Sequence, residues 1–97
     1  MVHLAGQLAD DLSLDIIGQT KQTLENIDKF LSSAGTNKAN ILSVTIYLKD
    51  MKDYNALNQV WDEWVVPGQP PARTCVQAAM YTPECLVEMT VVAVRDV

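Results

Sequence analysis

The sequence is short of the residues that build most reaction centres. It has one histidine, His3, and two cysteines, Cys75 and Cys85, in 97 residues. At these spacings they make no zinc site and no disulfide framework. The cysteines read as reduced thiols of a cytoplasmic protein. Positive charge is scarce as well: 7 basic residues lie scattered against 12 acidic ones, for a net charge of -5. Nucleic-acid binders concentrate basic residues to displace counterions from phosphates. Anionic membrane surfaces attract the same pattern. Neither nucleic acid nor membrane is therefore an expected partner. No run reaches 18 apolar residues, so no transmembrane helix is expected. Met1 to Gly6 has no basic region ahead of an apolar stretch and does not read as a secretory signal. Glycine and proline number four each, too few for collagen-like or low-complexity chains. There is no glycine-rich phosphate loop and no kinase or hydrolase signature, so nucleotide use has no support.

What remains is enough for one domain, residues 1–97. The hydrophobic fraction of 48% argues against intrinsic disorder. A chain of this size can bury about two thirds of its unfolded surface. Val2 to Gln7 reads as the end of a strand, and a start this abrupt suggests that a preceding segment is missing. Asp10 to Gly35 reads as a helix. Leu14, Ile17, Leu24, Ile27 and Leu31 form its apolar face, with Ile16, Thr20 and Phe30 at the margins. Ser13 or Asp15 is the expected N-cap, and Gly35 sits where a left-handed C-terminal cap belongs. Ile41 to Lys49 reads as a strand in which Leu42, Val44, Ile46 and Leu48 share one face. Asp50 to Val65 reads as a second helix that presents Tyr54, Leu57, Val60, Trp61 and Trp64. It is stopped by Pro67-Gly68-Gln69-Pro70-Pro71. Ala72 to Met80 and Leu86 to Val94 read as two strands joined as a hairpin around Thr82-Pro83-Glu84. The order β–α–β–α–β–β predicts an α+β fold with two helices on one face of a mixed sheet. In a chain this small, the other sheet face needs cover from another subunit.

A turn centred near Pro83 places Gln77 opposite Glu88 and Cys75 opposite Thr90. Alternation then collects Arg73, Cys75, Gln77, Glu88, Thr90 and Val92 on a semi-polar face. Val76, Ala78, Met80, Val87, Met89, Val91 and Ala93 fall on the core face. Charges among apolar strands need partners or a purpose. Arg73 is either a guanidinium fork for a carboxylate or one half of a salt bridge to Glu88 or an aspartate. Glu88 is either a general base or water-orienting group, or a member of a cross-strand or inter-subunit ion pair. In this register the two stand roughly 13 Å apart and meet more easily across a subunit boundary than within one chain. Cys75 lacks the helpers of a nucleophile and reads as a small packed residue. An internal disulfide with Cys85 is not expected. Asn58 is a helix-surface polar residue or a site amide. Tyr54, Trp61 and Trp64 read as core or interface aromatics.

Taken together, several fragments resemble the YjgF/Rid family, the reactive-intermediate deaminases, over nearly the whole chain. They are Leu4-Ala5-Gly6-Gln7, the run from Gln19 to Ile27, Thr45 to Met51, and Asn58 on the second helix. The strongest is Pro71-Ala72-Arg73-Thr74-Cys75-Val76, followed fifteen residues after the arginine by Glu88. Asn-Lys-Ala-Asn-Ile-Leu and Trp-Asp-Glu-Trp-Val-Val are similar to a shorter, YoaB-like branch. The resemblance implies a chorismate-mutase-like fold and a homotrimer with a central barrel and clefts between subunits. It implies hydrolysis of 2-imino acids or their enamine tautomers to 2-keto acids and ammonia, with no metal or organic cofactor. Arg73 would clamp the substrate carboxylate, and Glu88 would hold or activate water. The backbone at Cys75 would touch the substrate, and Asn58 would line the cleft. The family often has a serine where this sequence has Ala5. It also has an N-terminal strand bearing a tyrosine, and this sequence begins after that strand. Those two departures keep open a second reading, a non-catalytic trimer that binds small carboxylates such as 2-keto acids. An endoribonuclease or translation-inhibitor role has been attached to some relatives, and the net charge of -5 counts against it.

Overall fold

A computed structural model of the protein describes residues 1–95; positions 96 and 97, the end of the expected domain, lie outside the described residues. The elements are β1 (Val2–Gln7), α1 (Ile16–Ser33), β2 (Ile41–Leu48), α2 (Tyr54–Trp64), β3 (Ala72–Gln77) and β4 (Val87–Ala93). Short 3-10 turns, Lys38–Asn40 and Met51–Asp53, precede β2 and α2. The strands form one mixed sheet in the order β1-β4-β2-β3. Both helices lie on one face of it, and their buried residues join Val44, Ile46, Leu48, Val87, Met89 and Val91 in a single core. This is the expected α+β architecture.

The expected hairpin is absent. β3 pairs parallel with β2, Val44 beside Arg73 and Ile46 beside Cys75. β4 pairs antiparallel with the other edge of β2, Thr45 opposite Thr90 and Tyr47 opposite Glu88. Two physical reasons decide this. The α2 crossover returns the chain in the direction of β2, which suits a parallel neighbour. β4 also buries Val87, Met89, Val91 and Ala93 at 0–1% exposure, so it takes a central place between β1 and β2. The parity of β3 changes with its partner. Arg73, Cys75 and Gln77 share the helix-covered face with Val44, Ile46 and Leu48. Val76, expected in the core, is 40% exposed. On β4 the expected division holds, with Glu88, Thr90 and Val92 on the face that neither helix covers.

Other details also differ: β3 ends at Gln77, short of the expected Met80, and Ala78 and Met80 lie in the following loop, not in the core. Residues 10–14 are not helical, because Asp15 is the N-cap and accepts from the Gly18 amide at 2.9 Å. A register shift between Ile41 and Ser43 turns Leu42 outward, to 45% exposure, and Ile41 inward. The C-terminus of α1 follows expectation: Gly35 has φ +79°, and Thr36 N donates to Leu31 O at 3.0 Å. Even at 18 residues, α1 depends on packing its apolar face. Burial of Leu24, Ile27 and Leu31 contributes roughly 1.5–3 kcal/mol each.

Gln19, at 0% exposure, ties three segments together. Its Nε2 donates to Leu12 O at 3.2 Å and to Leu14 O and Glu84 O at 2.9 Å, while its Oε1 accepts from Leu86 N at 2.9 Å. The segment before α1 and the end of the loop before β4 thus share one buried amide. Replacing Gln19 with Leu leaves part-buried backbone groups unpaired and is expected to cost about 2–4 kcal/mol. Thermal unfolding at fixed protein concentration should then fall by roughly 10–25 °C. A fall of less than about 3 °C would show that water serves these groups equally well.

Candidate functional site

Tyr54, Asn58 and Trp61 recur at helical spacing on one stripe of α2. The stripe faces the second residue of β3, Arg73. Arg73 Nη1 donates to Asn58 Oδ1 at 2.8 Å, and Nη2 donates to the Tyr54 hydroxyl at 3.2 Å. Its guanidinium carbon lies 5.2 Å from the Trp61 ring centre and 5.7 Å from that of Tyr54, within range for cation–π attraction. These partners are neutral, so the arginine is held without its charge being cancelled. An arginine has five N–H donors, and two of them are engaged in these bonds. The remaining three suffice for bidentate contact with a carboxylate. Within the described residues of the chain Arg73 forms no salt bridge to Glu88, and Asn58 is a partner of the arginine, not a free surface amide.

Cys75 follows on the same face, half-buried, with a free thiol. Burial pushes this thiol up from its ordinary pKa, and the nearby Arg73 charge offsets part of that rise. β3 is an edge strand, so its outer backbone groups have no strand partner among the described residues.

Glu88 stands on the opposite face of the sheet. It lines a hollow of about 310 Å³ with Tyr47, Thr90 and residues 78–81. β1 shapes the other side of this carboxylate. The register shifts between Leu4 and Gln7, and the bulge carries Ala5 and Gly6. A Cβ on Gly6 would clash with Glu88 Oε2, the far end of that side chain, so glycine there permits a close approach. Ala5 is exposed, and its carbonyl accepts from Gln7 Nε2 at 2.9 Å. A larger hollow, about 530 Å³, lies beside Lys49, Gln77 and residues 78–83. It touches neither Arg73 nor Glu88.

The candidate residues therefore form two groups. Arg73, Asn58 and Cys75 gather beneath α2; Glu88 and Ala5 gather on the open face. Within one chain the groups do not meet. The Arg73 row on β2 is Val44 and the Glu88 row is Tyr47, roughly 10 Å apart along the strands, and two strand spacings add roughly 10 Å. Sequence reasoning missed the contact of Tyr54 with Arg73. The spacing of Tyr54, Asn58 and Trp61 held that signal, but only the β2–β3 pairing aims the arginine at it. His3 is exposed beside Val92 on the open face. Among the described residues no group of three or more His, Cys, Asp or Glu is placed to hold a metal ion. No described helix is long and apolar enough to cross a membrane.

Comparison with known proteins gives a consistent match. Residues 1–95 fit the family model described as endoribonuclease L-PSP. A RutC family protein of Haemophilus influenzae is 44% identical over 94 residues, covering 96% of this chain and 81% of its own. The RutC family protein YoaB of Escherichia coli is 44% identical over 84 residues, 87% of this chain and 74% of its own. A crystal structure of a YjgF-family member from Neisseria meningitidis superposes with a TM-score of 0.94 at 40% identity, covering 97% of this chain and 78% of that one.

The raised Cys75 pKa sets the direction of a pH effect, because the thiolate is the reactive form. Cys75 should alkylate with iodoacetamide more slowly than a free cysteine at pH 8, and its rate should still be rising above pH 9. Cys85, at 0% exposure and also pushed up by burial, should react only after unfolding. Peptide mass spectrometry of timed samples measures both. Fast labelling of Cys75 at pH 7 would contradict the assignment.

Proposed function

This chain belongs to the YjgF/Rid family, the family of the endoribonuclease L-PSP model, and from that premise we propose that it hydrolyses small 2-imino acids, or their enamine tautomers, to 2-keto acids and ammonia. The observation that carries this reading is the arginine held without a counter-charge: Arg73 is oriented by Asn58, Tyr54 and Trp61 and keeps donors for a carboxylate. The chemistry balances without a cofactor. Water adds to the imine carbon, and the resulting amino alcohol expels ammonia as the carbonyl forms. Arg73 binds the neighbouring carboxylate and fixes the reacting carbon. Glu88 accepts a hydrogen bond from the attacking water and aligns it. The backbone of edge strand β3 around Cys75 supplies further contacts to the substrate.

Arg73 and Glu88 occupy opposite faces of one sheet, so the site in this reading spans two chains. Arg73 of one subunit and Glu88 of the next would face a shared cleft in a homotrimer whose open sheet faces line a barrel. The half-buried Thr45, Tyr47, Thr90 and Val92 are suited to such cover, being neither a dry core nor a charged surface. Separation of the two groups within the chain also favours a second reading, a trimer that binds small carboxylates without turning them over. Ribonuclease activity is disfavoured by the net charge of -5.

Semicarbazide competition separates the first two readings. An amino-acid oxidase generates 2-iminobutanoate, and semicarbazone formation is followed with added protein. The wild type should suppress semicarbazone formation. Arg73→Ala should lose about tenfold or more of that activity, and Glu88→Gln about a hundredfold. No suppression by wild type, together with retained 2-oxobutanoate binding, would leave the binding trimer as the better reading.

Gly6→Ala tests the Glu88 setting separately. Its Cβ must displace the carboxylate, so kcat in the same assay should approach that of Glu88→Gln while 2-oxobutanoate binding stays near wild type. An unchanged kcat would show that the carboxylate position is immaterial.

A further inference from the structure

The fixing of Arg73 has a consequence beyond the clamp itself. A solvent-exposed arginine samples many rotamers and loses that freedom when it binds a ligand. Here the guanidinium lies beside two rings and donates to two oxygens, and all four groups come from α2. Trp61 is 5% exposed and belongs to the core, so it forms a rigid side of the holder. Asn58 anchors Nη1. Tyr54 is half-buried in the first turn of α2. Its place is set by a second link, between the 3-10 turn that leads into α2 and β3, in which Gln77 Oε1 accepts from the Met51 amide at 2.9 Å. Asp50 caps that short turn by accepting from Lys52 N at 2.9 Å. The start of α2 is thereby tied to the end of β3 as well as to its beginning. A hydroxyl placed in this way is more than cover for an aliphatic stem.

We propose that Tyr54 is a positioning residue for Arg73, its hydroxyl holding Nη2 so that the remaining guanidinium donors are preset for a single small carboxylate. The inference rests on the reading of Arg73 as the carboxylate clamp. Preorganisation acts by removing an ordering cost from the binding step. Loss of the hydroxyl should therefore weaken binding and leave the chemical step unchanged. In this role Tyr54 acts through its contact with the arginine, so its effect should fall on KM and not on kcat.

The experiment titrates 2-oxobutanoate calorimetrically into wild type, Tyr54→Phe, Tyr54→Leu and Arg73→Ala, with thermal unfolding of each. Tyr54→Phe keeps the ring and removes one oxygen. It should unfold within about 2 °C of wild type and bind about three- to tenfold more weakly. In the semicarbazide assay its KM should rise by the same factor at unchanged kcat. Tyr54→Leu, which also removes the ring, should bind more weakly again. Wild-type binding and KM in Tyr54→Phe, with binding lost in Arg73→Ala, would overturn the role of Tyr54 and leave the clamp intact. Unchanged binding in Arg73→Ala would overturn the clamp itself, and the role of Tyr54 with it. If Tyr54→Phe lowers kcat and leaves KM unchanged, the hydroxyl acts on the chemistry and the positioning role is wrong.

Discussion

The parallel pairing of β3 with β2 is the constraint on which the rest of the structure depends. α2 carries the chain from the end of β2 back to the start of β3, and a crossover of this kind suits strands running in the same direction. Once Val44 stands beside Arg73, strand alternation leaves no choice of face for the neighbouring positions. Arg73, Cys75 and Gln77 must point toward α2. The same pairing brings Asn58 and Tyr54 to the guanidinium and the Met51 amide to Gln77. A one-residue slip would turn the arginine to the open face and leave Asn58 without its donor.

The open face is organised by a different device. Glu88 lies on a central strand, where its neighbours are Tyr47 on one side and the β1 bulge on the other. Gly6 lets the carboxylate approach the backbone closely, which a side chain would prevent. The loop that walls its hollow is tied at its far end by the buried Gln19 amide. One polar side chain at the start of α1 therefore helps to set a loop more than sixty residues away. Burying such an amide is tolerable because its hydrogen-bonding groups are satisfied.

Much of this was legible in the sequence, and the errors of sheet face share one cause. Helix and strand positions followed broadly from hydrophobic period, and local chemistry pointed to Asp15, one of two expected N-caps, and to Gly35. Fragments around Gly6, Arg73 and Glu88 carried the family resemblance. The hairpin of β3 with β4 was the misreading. Both strands alternate, and a turn-forming Thr-Pro-Glu lies between them, so nothing local distinguishes a hairpin from two strands separated by a third. The choice is made by burial. β4 has an unbroken apolar face that needs neighbours on both edges, whereas β3, with its polar and small residues, tolerates the rim. The outward turn of Leu42 has the same character, since a single bulge changes which residues alternate inward.

The sequence by itself determined the elements, the Leu24, Ile27 and Leu31 stripe of α1, the core faces of α2 and β4, the scarcity of positive charge, and the presence of Arg73 and Glu88 at a telling spacing. These are properties of local period and composition, and neighbours along the chain suffice to encode them. Only the tertiary structure decided which strands pair, that Arg73 lies under α2 between Tyr54 and Trp61, and that Glu88 occupies the opposite face against Gly6. Such relations join residues distant in the chain. They are selected by competition among alternative burials and backbone pairings, and no single segment contains the terms of that competition.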